Sequence, residues 1–434
     1  MKMTRLAAAL AVTMTAAAPA LAETLHFPML SYRTGPFAPG GIAFADGYQD
    51  FLTLIQQRDG GIGGVPIRIT ECETAYATDR GVECYQAVRG DNPLVIQPLS
   101  TGITYALIPR TMADGIPMHT MGYGRTSAVN GEVFNWTFNY PANYWDGASV
   151  AINFLLEENG GSLEGKKIAL VYHNSAYGRE PIPTLTRLAE RYGFEFLPIG
   201  VDSPGQEQRS QWLQIRREQP DYVLMWGWGV MNPTAIQEAA NIRFPMNNFI
   251  GVWWSGSEQD VRPVGAGAHG YRSLAMHGTG TDYPIYDDIR TYVIERGLAA
   301  GTGDEVGTVL YSRGLYAAML AVEAARTAQQ IHGVAAITPA MMRDGMANLV
   351  ITEERMAELG LPGFGPAFDV SCQNHGGTGA AMVQEWDANT GTWNLITDWI
   401  LPDRELIMEM VMEDSLAFAA ENNITPQCLE RSGN

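Results

Sequence analysis

One pattern recurs through the first half of the chain: a short apolar run, a loop rich in Gly, Ser or Thr, then a stretch with helical spacing. Residues 24–30 open it, Ser31-Tyr32-Arg33-Thr34-Gly35-Pro36 follows, and Phe44, Tyr48, Phe51, Leu52 and Ile55 then recur on one helix face. The Gly-rich run 60–64 ends that helix, and further strands are expected at 65–70, 94–97 and 117–121. A second series begins at Trp145, where Ala148, Ala151, Ile152, Leu155 and Leu156 mark a helix face, and supplies strands at 167–172, 194–200, 222–226 and 249–252. Two βαβ series in succession predict an α/β fold of two Rossmann-like lobes with parallel-sheet cores rather than one wide sheet. Residues 139–143 and 278–283 read as crossings between them, residues 305–349 as helical, and 383–386 with 393–396 as a β-hairpin.

Lys2 and Arg5 precede an apolar run, 6–18, that closes on Ala20-Leu21-Ala22. This is the pattern of a signal peptide cleaved near Ala22-Glu23, and the run is too short to span a membrane. No later stretch is both long and free of polar residues, so no membrane insertion is expected. A net charge of −19 argues against a nucleic-acid partner. The 434 residues exceed what a single core usually organises. The expected division is 1–22 signal peptide, 23–140 with 280–350 as the first lobe, 141–279 with 351–400 as the second, and 401–434 as a C-terminal extension. Export places the four Cys in an oxidising compartment. Cys72 and Cys84, 12 positions apart around a strand-to-helix connection, are the expected disulfide. Cys372 with Cys428 follows only by elimination, two free buried thiols being the alternative.

Several chemistries lack their residues. Residues 265–270, Gly-Ala-Gly-Ala-His-Gly, have the spacing of a dinucleotide fingerprint, but Val261-Arg262-Pro263-Val264 precedes them instead of an apolar strand, and a strand follows instead of a helix. There is no G-x-S-x-G elbow, no H-E-x-x-H, no C-x-x-C and no complete phosphate-loop motif. The seven His, at 26, 119, 173, 269, 277, 332 and 375, show no pair at metal-ligand spacing. His119 and His173 read as hydrogen-bonded structural groups. Neither a catalytic set, a metal nor a cofactor is expected.

The polar and aromatic residues gather just past the carboxyl ends of the strands, where open α/β sheets bind ligands. Ser100, Thr101, Gly102 and Thr120 precede helices or turns, a setting that presents unpaired N–H groups to a carboxylate; helix capping is the alternative role. Tyr123, Tyr144, Trp145, Tyr177, Trp226, Trp228, Trp253 and Trp254 cluster at the same level, as in the aromatic walls of small-molecule pockets. Because side chains alternate along a strand, Trp228 and Trp253 are expected in the cleft and Trp226 and Trp254 behind it.

These residues carry a resemblance. Thr34-Gly35-Pro36 after the first strand, the 60–64 Gly run with Pro66, 94–96 leading into Ser100-Thr101, Tyr177-Gly178 after 167–172, and Pro220-Asp221-Tyr222-Val223 leading to Gly227 follow one another as in the periplasmic leucine/isoleucine/valine-binding proteins of branched-chain amino acid importers. The resemblance spans roughly residues 24–400. It implies the type I periplasmic-binding-protein fold, with three interlobe crossings and lobes that close on a small molecule. It also implies a monomer in the periplasm, a membrane ABC permease as partner, and a first-lobe disulfide matching Cys72 and Cys84. A membrane receptor served by the same fold, or a cleft enzyme, are the alternatives. The site it implies comprises Ser100, Thr101, Gly102, Thr120, Gly122, Tyr123 and, from the second lobe, Tyr177, to which Tyr32, in the loop after the first strand, and Trp228 and Trp253, from the reading of the aromatic residues, are added. One departure stands out: where amino-acid-binding members place an acidic residue against the ligand ammonium, this chain has Val252-Trp253-Trp254, with Glu258 and Asp260 beyond that position. An unpaired buried ammonium is costly, so an aromatic or apolar carboxylate, or an amide, becomes the competing ligand.

Overall fold

The structure is a computed structural model that describes residues 24–432; the expected signal peptide falls on residues 1–22, outside the described residues. Strand Leu25–Ser31 is buried along its whole length, which is why it reads as an apolar run rather than an alternating one. It pairs in parallel with Ile67–Glu73, and single bridges link it on its other side to Pro93 and Gln97. Ile96 then bridges to Met118, and Met118–His119 pairs with Thr137–Phe138, all in parallel. Ile67–Glu73 runs past the stretch expected from apolar residues, because Glu71 and Glu73 face outward and hold Arg33 through Nε and its backbone N–H, each at 2.6 Å.

The second sheet has seven strands, in the order Thr392–Leu395, Met382–Asp387, Arg272–Ala275, Phe249–Gly251, Tyr222–Trp226, Lys167–His173, Glu195–Val201. The last five are mutually parallel, and the C-terminal hairpin adds an antiparallel edge, as expected for residues 383–396. Residues 262–268 form a tight 3-10 segment ahead of strand Arg272–Ala275, so the glycines there do not open a helix.

The expected helical stretch 305–349 resolves into Val309–His332 and Pro339–Ala347, parted at Gly333, whose φ of 64° ends the first helix. Val309–His332 crosses Ala38–Asp59 closely: a Cβ on Gly47 would stand 1.9 Å from the Tyr311 carbonyl oxygen, and one on Gly314 1.9 Å from that of Phe44. Those glycines permit the crossing. Helix Arg404–Glu421 straddles the molecule. Near its start, Asp403 N–H donates to Ser149 Oγ at 2.7 Å and Arg187 pairs with Glu409 at 3.3 Å; near its end, Arg125 pairs with Asp414 at 2.5 Å and Asn130 Nδ2 donates to Ser415 Oγ at 2.9 Å. Cys72–Cys84 and Cys372–Cys428 are both bonded, the second anchoring the tail beyond that helix. No helix among the described residues is long and apolar enough to cross a membrane.

Candidate functional site

The carboxyl ends of both sheets face one another, and the loops leaving them line a small cavity that is partly open to solvent. Tyr32 follows strand Leu25–Ser31, Tyr76 follows Ile67–Glu73, and Leu99, Ser100 and Thr101 follow the bridge at Gln97. Tyr123 follows Met118–His119. From the other side come Tyr177 after Lys167–His173, Trp228 after Tyr222–Trp226 and Trp254 after Phe249–Gly251, while Tyr144 opens helix Tyr144–Glu158 beside the first crossing.

One end of the cavity is polar. Ser100 is the N-cap of helix Thr101–Asp114, its Oγ accepting from Ile103 N–H at a long 3.4 Å, and Thr101 Oγ1 accepts from Gly124 N–H at 3.2 Å. The N–H groups of Thr101 and Gly102 open the helix and have no intrahelical acceptor. The Tyr76 and Tyr144 phenols stand beside Ser100 and Thr101, respectively. Burial raises Tyr32, Tyr144 and Tyr177 well above the ordinary phenol range, so all three remain protonated donors.

The other end is aromatic. Trp228 meets Tyr32 edge-on at 6.3 Å and Trp254 at 5.4 Å, and its buried Nε1 has no hydrogen-bond partner. Tyr177 hydroxyl donates to Gly227 carbonyl at 2.9 Å. Tyr123 hydroxyl is committed to the loop, accepting from Leu99 N–H at 2.9 Å and donating to Gln97 at 2.5 Å.

Of the residues singled out in the sequence, Tyr32, Ser100, Thr101, Tyr123, Tyr177 and Trp228 meet in the cavity wall. Gly102 lies at the helix N-terminus behind it, Thr120 turns its hydroxyl to Phe138 carbonyl at 3.3 Å, and Gly122 supplies a carbonyl to the indoles of Trp253 and Trp254. Trp253 and Trp254 exchange their expected places. Trp253 is fully buried, stacked on Tyr144 at 6.2 Å, and Trp254 walls the cavity. The reason is local: the strand ends at Gly251, and residues 252–255 form a turn in which strand alternation no longer applies, so both indoles point the same way. Tyr76 and Leu99 were not singled out, although Tyr76 also follows a strand end. His119 and His173 are hydrogen-bonded as expected, to Tyr140 carbonyl at 3.2 Å and Ser175 Oγ at 2.8 Å.

Neither acid near the departure reaches the cavity. Asp260 accepts from Ser257 N–H at 2.9 Å, Ser257 hydroxyl at 2.8 Å and Asn232 at 3.0 Å, and burial pushes it up to about 7. Glu258 accepts from Val309 N–H at 3.0 Å, holding the start of helix Val309–His332. Among the described residues no three His, Cys, Asp or Glu are grouped to hold a metal.

Two α/β lobes whose strand ends close on a small cavity with helix-terminal donors at one end and rings at the other define a two-lobed solute-binding protein. The chain belongs to the periplasmic binding protein family, whose family model matches residues 24–392. Among solved structures it is similar to one described as an ABC transporter permease from the Pseudomonas fluorescens group, with 39% identity, a TM-score of 0.87 and coverage of 94% of this chain and 100% of that one. It is also similar in fold to a branched chain amino acid ABC transporter from Thermus thermophilus with bound valine, at 18% identity and a TM-score of 0.74 over 90% of this chain and 99% of that one. A solute binding protein from R. palustris in complex with benzoate aligns at 16% identity and a TM-score of 0.68, over 87% of this chain and 97% of that one. Among curated proteins none matches the chain.

Proposed function

We propose that this protein captures a small carboxylate, one without an ammonium group, by lobe closure in the periplasm, and delivers it as a monomer to the membrane permease of an ABC importer. The observation that carries the reading is the inventory of the cavity: hydroxyls and helix-terminal N–H groups at the Ser100 end, rings elsewhere, and no carboxylate in the wall. A carboxylate suits the first, since helix N-termini offer unpaired donors and a positive dipole end. An ammonium would find only ring faces and phenol oxygens. The relatives that hold valine and benzoate share a carboxylate on a small skeleton. A thermal-shift screen tests this. Short aliphatic and aromatic acids at 100 times their dissociation constant should stabilise the protein by about 2.7 kcal/mol. Stabilisation by free leucine or valine alone, or recovery of a chemically altered solute, would overturn it.

A further inference from the structure

Helix Val309–His332 carries Arg313 into the interior between the lobes, where it is 0% exposed. Its Nη1 donates to Trp253 carbonyl, its Nε lies 3.2 Å from His277 Nε2, and its Cζ stands 5.0 Å from the centre of the Trp254 ring. Trp254 walls the cavity. Nη2 has no hydrogen-bond partner, and Arg313 makes no salt bridge among the described residues. The acids acting on it most, Asp260 and Glu258, are engaged by Ser257, Asn232 and Val309, while the Tyr144 and Tyr177 phenols of the cavity also lie within its field. His277 adds no charge, since burial and then Arg313 itself lower it to about 3. Burial also lowers Arg313, to about 9, which leaves it a cation at neutral pH.

A buried cation that makes no direct ion pair, its nearby acids Asp260 and Glu258 acting only at a distance, is costly. We propose that Arg313 is a long-range counter-charge for the ligand, acting from behind Trp254 across the cavity on a carboxylate held at the Ser100 end, so that the closed cavity selects a monoanion over the neutral amide and over the zwitterion of the same skeleton. The inference rests on the carboxylate reading above. At an effective dielectric of about 20, a charge about 10 Å away changes affinity roughly tenfold. The contact with Trp253 carbonyl makes the guanidinium a link between the lobes, because it comes from a helix packed on the first lobe and reaches a strand end of the second.

The experiment is a fluorescence titration of wild type, Arg313→Met and Arg313→Lys with isovalerate, isovaleramide, valine, benzoate and benzamide, with each melting temperature recorded. Wild type should bind each acid about tenfold or more tightly than its amide, and isovalerate more tightly than valine. Arg313→Met should bring the acid-to-amide ratio down about tenfold, and Arg313→Lys, which keeps a cation but cannot reach Trp253 carbonyl and His277 together, should retain most of it. An unchanged ratio in Arg313→Met would overturn the proposal while leaving the carboxylate site standing. Should Arg313→Met fail to fold, a ratio near one in folded Arg313→Lys would overturn it too. Wild type that binds acid and amide alike sinks the counter-charge. Wild type that binds none of the five sinks the carboxylate reading itself.

Discussion

Trp254 donates its indole N–H to the carbonyl of Gly122 across the gap between the lobes, at 2.8 Å, and the same carbonyl also takes the indole N–H of Trp253 at 2.8 Å. Gly122 has φ 71°, and a Cβ there would stand 2.2 Å from Met276 Cε, so both conformation and space favour glycine. Trp254→Phe keeps a ring in the wall and removes one cross-lobe hydrogen bond. Such a bond is worth about 0.5–1.5 kcal/mol, so binding of the best carboxylate should weaken about two- to twelvefold by fluorescence titration, with little change in melting temperature. Trp253→Ala acts differently. It empties a fully buried site and should destabilise the fold by about 3–5 kcal/mol in denaturant titration.

Ser100 has two duties, capping a helix and facing the cavity. Ser100→Ala should cost about 0.5–2 kcal/mol of stability as a lost cap, and about 1.5–3 kcal/mol of binding as a lost donor to a charged group. A lowered melting temperature with unchanged affinity would show that Ser100 only caps.

Much of this site was legible because sequence period and strand-end position are both local properties. Ser100 and Thr101 follow an apolar strand and precede a helical pattern, and Tyr177 and Trp228 follow theirs, so one rule of α/β sheets finds all four. Trp253 and Trp254 escaped it because where a strand stops is decided by tertiary contacts: Val252 N–H reaches Met225 carbonyl, and Ser255 N–H then closes a turn on Val252. Arg313 was invisible, since a cation within an apolar helix gives no hint that a carbonyl from the other lobe awaits it. Helix Arg404–Glu421 was left without structure in the sequence reading, and its contacts to both lobes depend on residues more than 200 positions away, such as Arg187 with Glu409 and Arg125 with Asp414.

Glu180 should give stability a pH signature. It lies between the lobes, accepting from Tyr105 hydroxyl and from Thr126 hydroxyl at 2.9 Å, with Arg125 nearby, and burial raises it to about 7. A carboxyl raised from its ordinary range takes up a proton on folding, so its contribution is full below about pH 4.5 and is lost as the pH rises through 7. Asp146 and Asp260 shift in the same direction, and His119 and His375 in the opposite one, so the isolating measurement is the difference in melting temperature between wild type and Glu180→Gln. That difference should fall between pH 4.5 and 7. A flat difference would contradict the assignment.

The tail should be held covalently. In the chain-entropy model the Cys72–Cys84 bond, with a separation of 12, contributes about 3 kcal/mol, and Cys372–Cys428, with a separation of 56, about 4 kcal/mol. Non-reducing peptide mass spectrometry should return both linked pairs and no alkylated thiol at these positions. Cys428→Ser should lower the melting temperature and expose the segment beyond Glu421 to limited proteolysis.

The most direct measurement is a crystal structure with the best-binding acid of the thermal-shift screen. The account predicts the carboxylate on Ser100 Oγ and the Thr101 and Gly102 N–H groups, and the apolar part between Trp228 and Trp254, with Trp254 still bonded to Gly122. A ligand lying outside this cavity, or turned so that its carboxylate faces the rings, or an amino acid whose ammonium reaches Asp260, would contradict it.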